Sequence, residues 1–279
     1  MNYHIAADSC TDPLPQMRDD PDVTFVPLTL IVGDEHIIDD ESFDQKNFLE
    51  KVAACETAPS SACPSPEAFM EAYGRDDLDA YGITLSAELS GSYNSAVLGA
   101  NLLQEEFPGK KIHVFNSRSA CCGQTLILLK IRECIEKGLA FEETVKTVEQ
   151  YISEQTTLFV LETLESLRKN GRLSHLEALL IHALNIRPVM SSTPEGNIQK
   201  IGIGRGMKKA LTKMVEHIGT TVVNQTAKTI AITHCNCRER AEWVKQEIMK
   251  RYNFRDILII DAAGVASLYA CDGGIVVAY

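Results

Sequence analysis

The stretch "YGITLSAELSGSYNSAVLGANLL", residues 81–103, gathers small polar side chains at one place. Ser86, Ser90, Ser92, Asn94 and Ser95 surround Gly91, where an apolar run ending at Leu85 gives way to a helical pattern. The first N–H groups of a helix lack intrahelical partners, and the helix dipole favours negative charge there. Short neutral donors at such a junction suit a carboxylate or phosphate. The same residues would also serve an ordinary N-cap with a polar loop, and the stretch alone leaves both readings open.

Other chemistry-bearing patterns are weaker. No G-x-x-x-x-G-K-[ST] loop is present, and "GIGRGMKKA" (202–210) reads as a surface turn with the basic start of a helix. No G-x-S-x-G elbow surrounds a serine. A Ser–His–Asp triad would draw on partners distant in the chain, so sequence neither offers nor removes one. "HCNC" (234–237) lacks the second ligand pair that zinc usually takes, and no metal is expected. "HIIDDES" (36–42) reads as a solvated acidic turn. Arg172 in "NGRLS" and Arg205 in "GRGMK" sit in polar, glycine-flanked segments of a negatively charged chain. Arginine suits paired contact with a carboxylate or phosphate, so both are expected to serve partner docking, against the alternative of plain surface solubility.

The elements that must position these residues alternate between strand and helix. Strands are expected at 4–8, 23–32, 36–39, 82–86, 111–115, 157–162, 185–192, 197–204, 229–234, 257–263 and 273–279. Ser65, Pro66 and Glu67 form a helix start. Further helices are expected at 43–55, 92–107, 123–137 and 141–155, with Gly138 as a stop between the last two. "TLESLRKNGRLSHLEALLIHAL" reads as two helices broken at Gly171, followed later by helices from 207 and from 238. Helices long enough for crossovers between strands give an α/β class. The paired helices over 123–155 place a domain boundary near 155, giving domains 1–155 and 156–279.

The net charge of −11 argues against nucleic acid, which needs a basic face. No apolar run reaches the roughly 18 residues of a membrane span. The nine cysteines are scattered and odd in number, so free thiols are the default. The start "MNYHIAADSC" has no basic, apolar leader, and the chain is expected to be cytoplasmic.

The polar knots, taken together, resemble the DegV family of bacterial fatty-acid-binding proteins. "IAADSCTDPLP" is similar to its D-S-x-x-D-L opening, and "VPLTLIVGDEHIIDD" to its V-P-L-x-[IV] and following hairpin. "SSACPSPEAFMEAY" resembles T-S-Q-P-S-P before a helix, and "ITLSAELSGSYNSA" resembles I-x-[IL]-S-x-x-L-S-G-T-Y-x-S-A. "VFNSRSACCGQ", "LETLESLRKNGRLS", "LNIRPVMS" and "GRGMKKAL" follow in the family's order over nearly the whole chain.

The resemblance implies two α/β domains with a ligand tunnel between them, and a long-chain fatty acid as ligand without any cofactor. It implies a non-catalytic subunit that presents the lipid to a dihydroxyacetone-kinase-like fatty acid kinase for acyl phosphate formation. Lipid exchange at a membrane surface is compatible with that role. The residues implied for the carboxylate are Ser61, Ser90, Gly91 and Tyr269. Competing readings are a serine esterase or acyltransferase using Ser90, and a lipid sensor without turnover. The chain departs from the family where "YACDG" replaces H-T-G-P-G, so that Tyr269 stands where histidine is usual. It departs again at Ala62, Cys63 and Asn116. A phenol donates a hydrogen bond but does not become a cation near neutral pH.

Overall fold

The computed structural model describes residues 3–74, 76–173 and 185–279. Its first sheet is built on strand β1 (Tyr3–Asp8), with β2 (Val23–Val26) on one side and β6 (Asp79–Thr84) then β7 (Ile112–Asn116) on the other. All these pairings are parallel. A parallel sheet buries both faces, and side chains alternate across it. Tyr3, Ile5 and Ala7 enter one core and Ala6 the other. Helices α3 (Pro66–Tyr73) and α4 (Ser92–Glu106) contribute Phe69, Tyr73, Ala96 and Leu103 to the Ala6 face. Helices α5 (Cys122–Glu136) and α6 (Phe141–Glu154) cover the opposite face with Ile127, Ile131, Val148 and Ile152.

The local signals act as read. Ser65 Oγ accepts the Ala68 N–H at 3.3 Å with Pro66 at the first helical position, and α3 stops at Gly74. The run over 23–32, however, is not one strand. It breaks at Pro27, which lacks the N–H a central strand needs. Beyond it β3 (Thr29–Val32) joins β4 (Glu35–Ile38) and β5 (Ser60–Ala62) in a small antiparallel sheet. Helix α2 (Gln45–Ala54) packs beside it, capped by Asp44, while α1 (Pro15–Arg18) is a single turn after β1.

The second sheet has the order β10-β9-β8-β13-β11-β12. Its members are β8 (Thr157–Val160), β9 (Ile186–Ser192), β10 (Ile198–Arg205), β11 (Thr229–His234), β12 (Asp256–Asp261) and β13 (Ile275–Ala278). Leu158, Val160, Ile232 and Val277 pack under α8 (Met207–Thr221) and α9 (Arg238–Met249). The opposite face, with Phe159, Leu161, Ala231 and Val276, meets Cys122 and Leu126 of α5. Helix α5 is therefore buried from both sides, as its apolar circumference requires. Each fully buried leucine or isoleucine on it contributes roughly 1.5–3 kcal/mol, which ties the two α/β domains together.

Two more helices lie at the seam: α7 (Glu165–Lys169) and α10 (Gly264–Ala270). The sequence reading contained neither α10 nor β5. The helix expected after Gly171 falls largely outside the described residues.

Candidate functional site

A cavity opens between the two domains. Its empty volume is about 770 Å³, open solvent at its mouth included. Leu85, Leu89 and Ala120 from the first domain face Phe159, Leu161 and Val265 from the second. The walls are overwhelmingly apolar, and polar side chains are confined to a few points.

Of the site residues expected from sequence, Tyr269 and Arg172 line the cavity, whereas Ser61, Ser90 and Gly91 are not among its lining residues. Ser61 on β5 and Tyr269 near the end of α10 hydrogen-bond through their hydroxyls at 3.0 Å. Tyr269 also lines the cavity. The Arg172 guanidinium lies 5.8 Å from the Tyr269 ring centre, within cation–π range. It donates from Nε to the Leu89 carbonyl at 3.0 Å and from Nη1 to the Asn170 carbonyl at 2.5 Å. Leu89 leads into Ser90 and Gly91. Gly91 is the N-cap of α4 and has no side chain to cap with, while Ser90 Oγ accepts the Ser92 N–H at 3.2 Å. Cys63, two residues beyond Ser61, is exposed and packs close to Gly91. The small sheet thus touches both α10, through Ser61 and Tyr269, and the start of α4, through Cys63 and Gly91.

Helix α10 is held there by carboxylates of the first domain. Asp39 accepts the Gly264 and Val265 N–H groups at 2.8 and 2.9 Å and the Ser9 hydroxyl at 2.8 Å. Asp12 accepts the Ala263 N–H and the Thr233 hydroxyl, both at 2.7 Å. A negative charge at the first turn of α10 complements its dipole. Gly264 is required for this approach, because an added Cβ would stand 2.4 Å from Asp39 Oδ1. A third buried acid, Asp8, accepts the Leu85 N–H and the Gln124 amide, each at 2.8 Å, and braces the strand that leads to the Ser86–Gly91 loop. Burial pushes the carboxyls of Asp8 and Asp39 up to about 6 and that of Asp12 up to about 7.

Asp39 corrects the reading of "HIIDDES" as a wholly solvated turn. Asp40 and Glu41 are exposed, but Asp39 is buried, because it is spent on the α10 amides. The sequence did carry a signal, since the acid directly follows an apolar strand. Arg172 and Arg205, grouped on sequence grounds, are placed apart. Arg172 is half-buried at the cavity, whereas Arg205 is exposed at the end of edge strand β10. Among the described residues, the hydrogen-bond partners of Ser90 Oγ are the Ser92 hydroxyl and N–H. Also among them, no group of three or more His, Cys, Asp or Glu side chains converges on a metal position, and no helix is long and apolar enough to cross a membrane.

This architecture recurs in known proteins. A family model described as an uncharacterised protein of the DegV family matches residues 2–279. A DegV domain-containing protein of Streptococcus pyogenes is 35% identical over 281 residues, covering 100% of this chain and 99% of its own. A DegV family crystal structure from Ruminococcus gnavus, refined with vaccenic acid, is 48% identical with a TM-score of 0.97 and covers 100% of both chains. The Streptococcus pneumoniae fatty acid kinase B3 protein, crystallised loaded with linoleic acid, is 33% identical with a TM-score of 0.90 and covers 100% of this chain and 99% of its own. With a family match over nearly its full length, this chain belongs to the DegV family.

Proposed function

We propose that this protein binds a long-chain fatty acid at the domain seam and presents its carboxylate to a partner kinase that makes an acyl phosphate. The observation that carries the reading is an apolar cavity lined by Tyr269 and Leu89, with Ser61 hydrogen-bonded to Tyr269 and the start of α4 following Leu89 in the chain. In this reading Ser61, Ser90, Tyr269 and the Gly91 backbone hold the carboxylate. The relatives crystallised with vaccenic and linoleic acids support the choice of ligand.

The apolar tail supplies the affinity. At about 0.8 kcal/mol per methylene, a tail of about fourteen methylenes is worth roughly 11 kcal/mol gross. Association entropy offsets part of that. Neutral hydroxyls and amides then hold the head, with the half-buried Arg172 guanidinium nearby against the Tyr269 ring. Residues 1–155 supply most of the head-group site and residues 156–279 cover the tail, with Tyr269 reaching back across the seam. The chain is a binding subunit in this account. The phosphotransfer residues belong to a dihydroxyacetone-kinase-like partner, and Arg205 on the exposed edge is available to dock it.

The test is a coupled assay. Purified protein, oleate, ATP and such a kinase should yield acyl phosphate, trapped as a hydroxamate with hydroxylamine, only when this chain is present. Hydrolysis of an ester by this chain alone, with Ser90 labelled by a fluorophosphonate, would instead establish the esterase.

A further inference from the structure

The cavity holds a second polar point, made of hydroxyls that neither the apolar tail nor the carboxylate rim uses. Ser119 Oγ and Thr157 Oγ1 lie 2.5 Å apart, both buried, one from the loop before α5 and the other from β8. Ser192 Oγ, on neighbouring β9, accepts the Thr157 N–H at 3.2 Å. All three residues line the same cavity as Tyr269 and Leu89.

Each hydroxyl has one proton to give and two lone pairs. Ser119 Oγ donates to the Ala120 carbonyl at 3.3 Å, so Thr157 donates across the 2.5 Å contact, and the pair keeps lone pairs but no free proton. Among the described residues, the contact of Ser192 Oγ uses a lone pair and not its own proton. The cluster therefore combines a donor with acceptors, the complement of an alcohol. Against bare methylenes the Ser192 proton would be desolvated without return, which is unfavourable. A valine and two alanines would form a better wall for a saturated chain.

We propose that Ser119, Thr157 and Ser192 form a subsite for a hydroxyl carried on the acyl chain, so that the preferred ligand is a hydroxylated fatty acid. This rests on the fatty-acid reading above and narrows its ligand class. The ligand hydroxyl accepts the Ser192 proton and donates to the Ser119–Thr157 pair.

The experiment is titration calorimetry with stearate and with a panel of hydroxystearates differing in hydroxyl position. At one position the hydroxystearate should bind about 2- to 10-fold tighter than stearate, the worth of one net hydrogen bond. Ser192→Ala and the near-isosteric Thr157→Val should each remove that advantage and leave stearate bound as tightly or more tightly, with circular dichroism confirming that each variant is folded. Either variant alone suffices if the other does not fold. Stearate binding as tightly as every hydroxystearate would overturn the subsite while leaving the fatty-acid reading intact. Binding of no acyl acid at all would overturn both.

Discussion

Ser61 and Tyr269, 208 positions apart, share a hydrogen bond of 3.0 Å between the small antiparallel sheet of the first domain and a helix contributed by the second half of the chain. The contact places two neutral hydroxyls side by side at the rim of an apolar cavity. Whichever hydroxyl donates, the other keeps a proton for a carboxylate.

Tyr269 therefore has a defined test. Tyr269→Phe removes one donor and should weaken oleate binding by about 10- to 100-fold, the range for a hydrogen bond to a charged group. Tyr269→His should introduce a pH dependence near 6.5, with tighter binding on the acid side, where the imidazolium faces the carboxylate. Calorimetry across pH reads both. Unchanged affinity and pH profile in the two variants would make Tyr269 a packing residue.

For Ser90, half-buried at the start of α4, alanine should cost roughly 1.5–3 kcal/mol of binding, or about a 10- to 150-fold loss of affinity. The melting temperature without lipid should shift little. A large drop in ligand-free stability with intact affinity would show that Ser90 serves the helix and not the ligand.

The ease of reading from sequence followed the range of each interaction. Helix α3 was legible because Ser65, Pro66 and Glu67 act within one turn of one another. Strand β5 was not, since Ser60–Ala62 is short and carries no apolar alternation. Helix α10 was missed for a related reason: "GVASLYA" is apolar almost throughout and offers no polar face to set a period. Its docking depends on Asp12 and Asp39, more than two hundred residues away. The serine knot before α4 was visible as a knot, but its closeness to the end of β5, where Cys63 packs against Gly91, depends on contacts within the first domain that no local pattern encodes. The Ser119–Thr157–Ser192 cluster is likewise assembled from separate segments.

The buried aspartates give the protein a pH signature. Their carboxyls sit at about 6 to 7 in the folded state against an ordinary 3.8, because burial disfavours the charge. A group raised in this way stabilises the fold below its unfolded value and loses that contribution as pH rises through the folded value. Thermal stability should therefore increase as pH is lowered from about 8 to about 6, and the slope should be smaller in Asp12→Asn. A flat or inverted profile in the parent protein over that range would contradict the assignment.

Arg172 and Arg205 should separate in their effects. Arg172→Ala loses the Leu89 carbonyl contact and the stacking on Tyr269, so oleate affinity should fall about tenfold or more. Arg205→Glu should leave oleate affinity unchanged and reduce acyl phosphate formation in the coupled kinase assay. Loss of lipid affinity in Arg205→Glu would remove it from the docking surface.

A fatty acid in the seam, with its carboxylate beside Ser61 and Tyr269, would be carried through purification. Native mass spectrometry of the purified protein, followed by organic extraction and lipid identification, tests this most directly. One long-chain fatty acid should be bound per chain, displaced by added oleate in the parent protein and retained less well in Ser90→Ala and Tyr269→Phe. A protein that carries no lipid, and whose mass and melting temperature stay unchanged when palmitate or oleate is added, would contradict it.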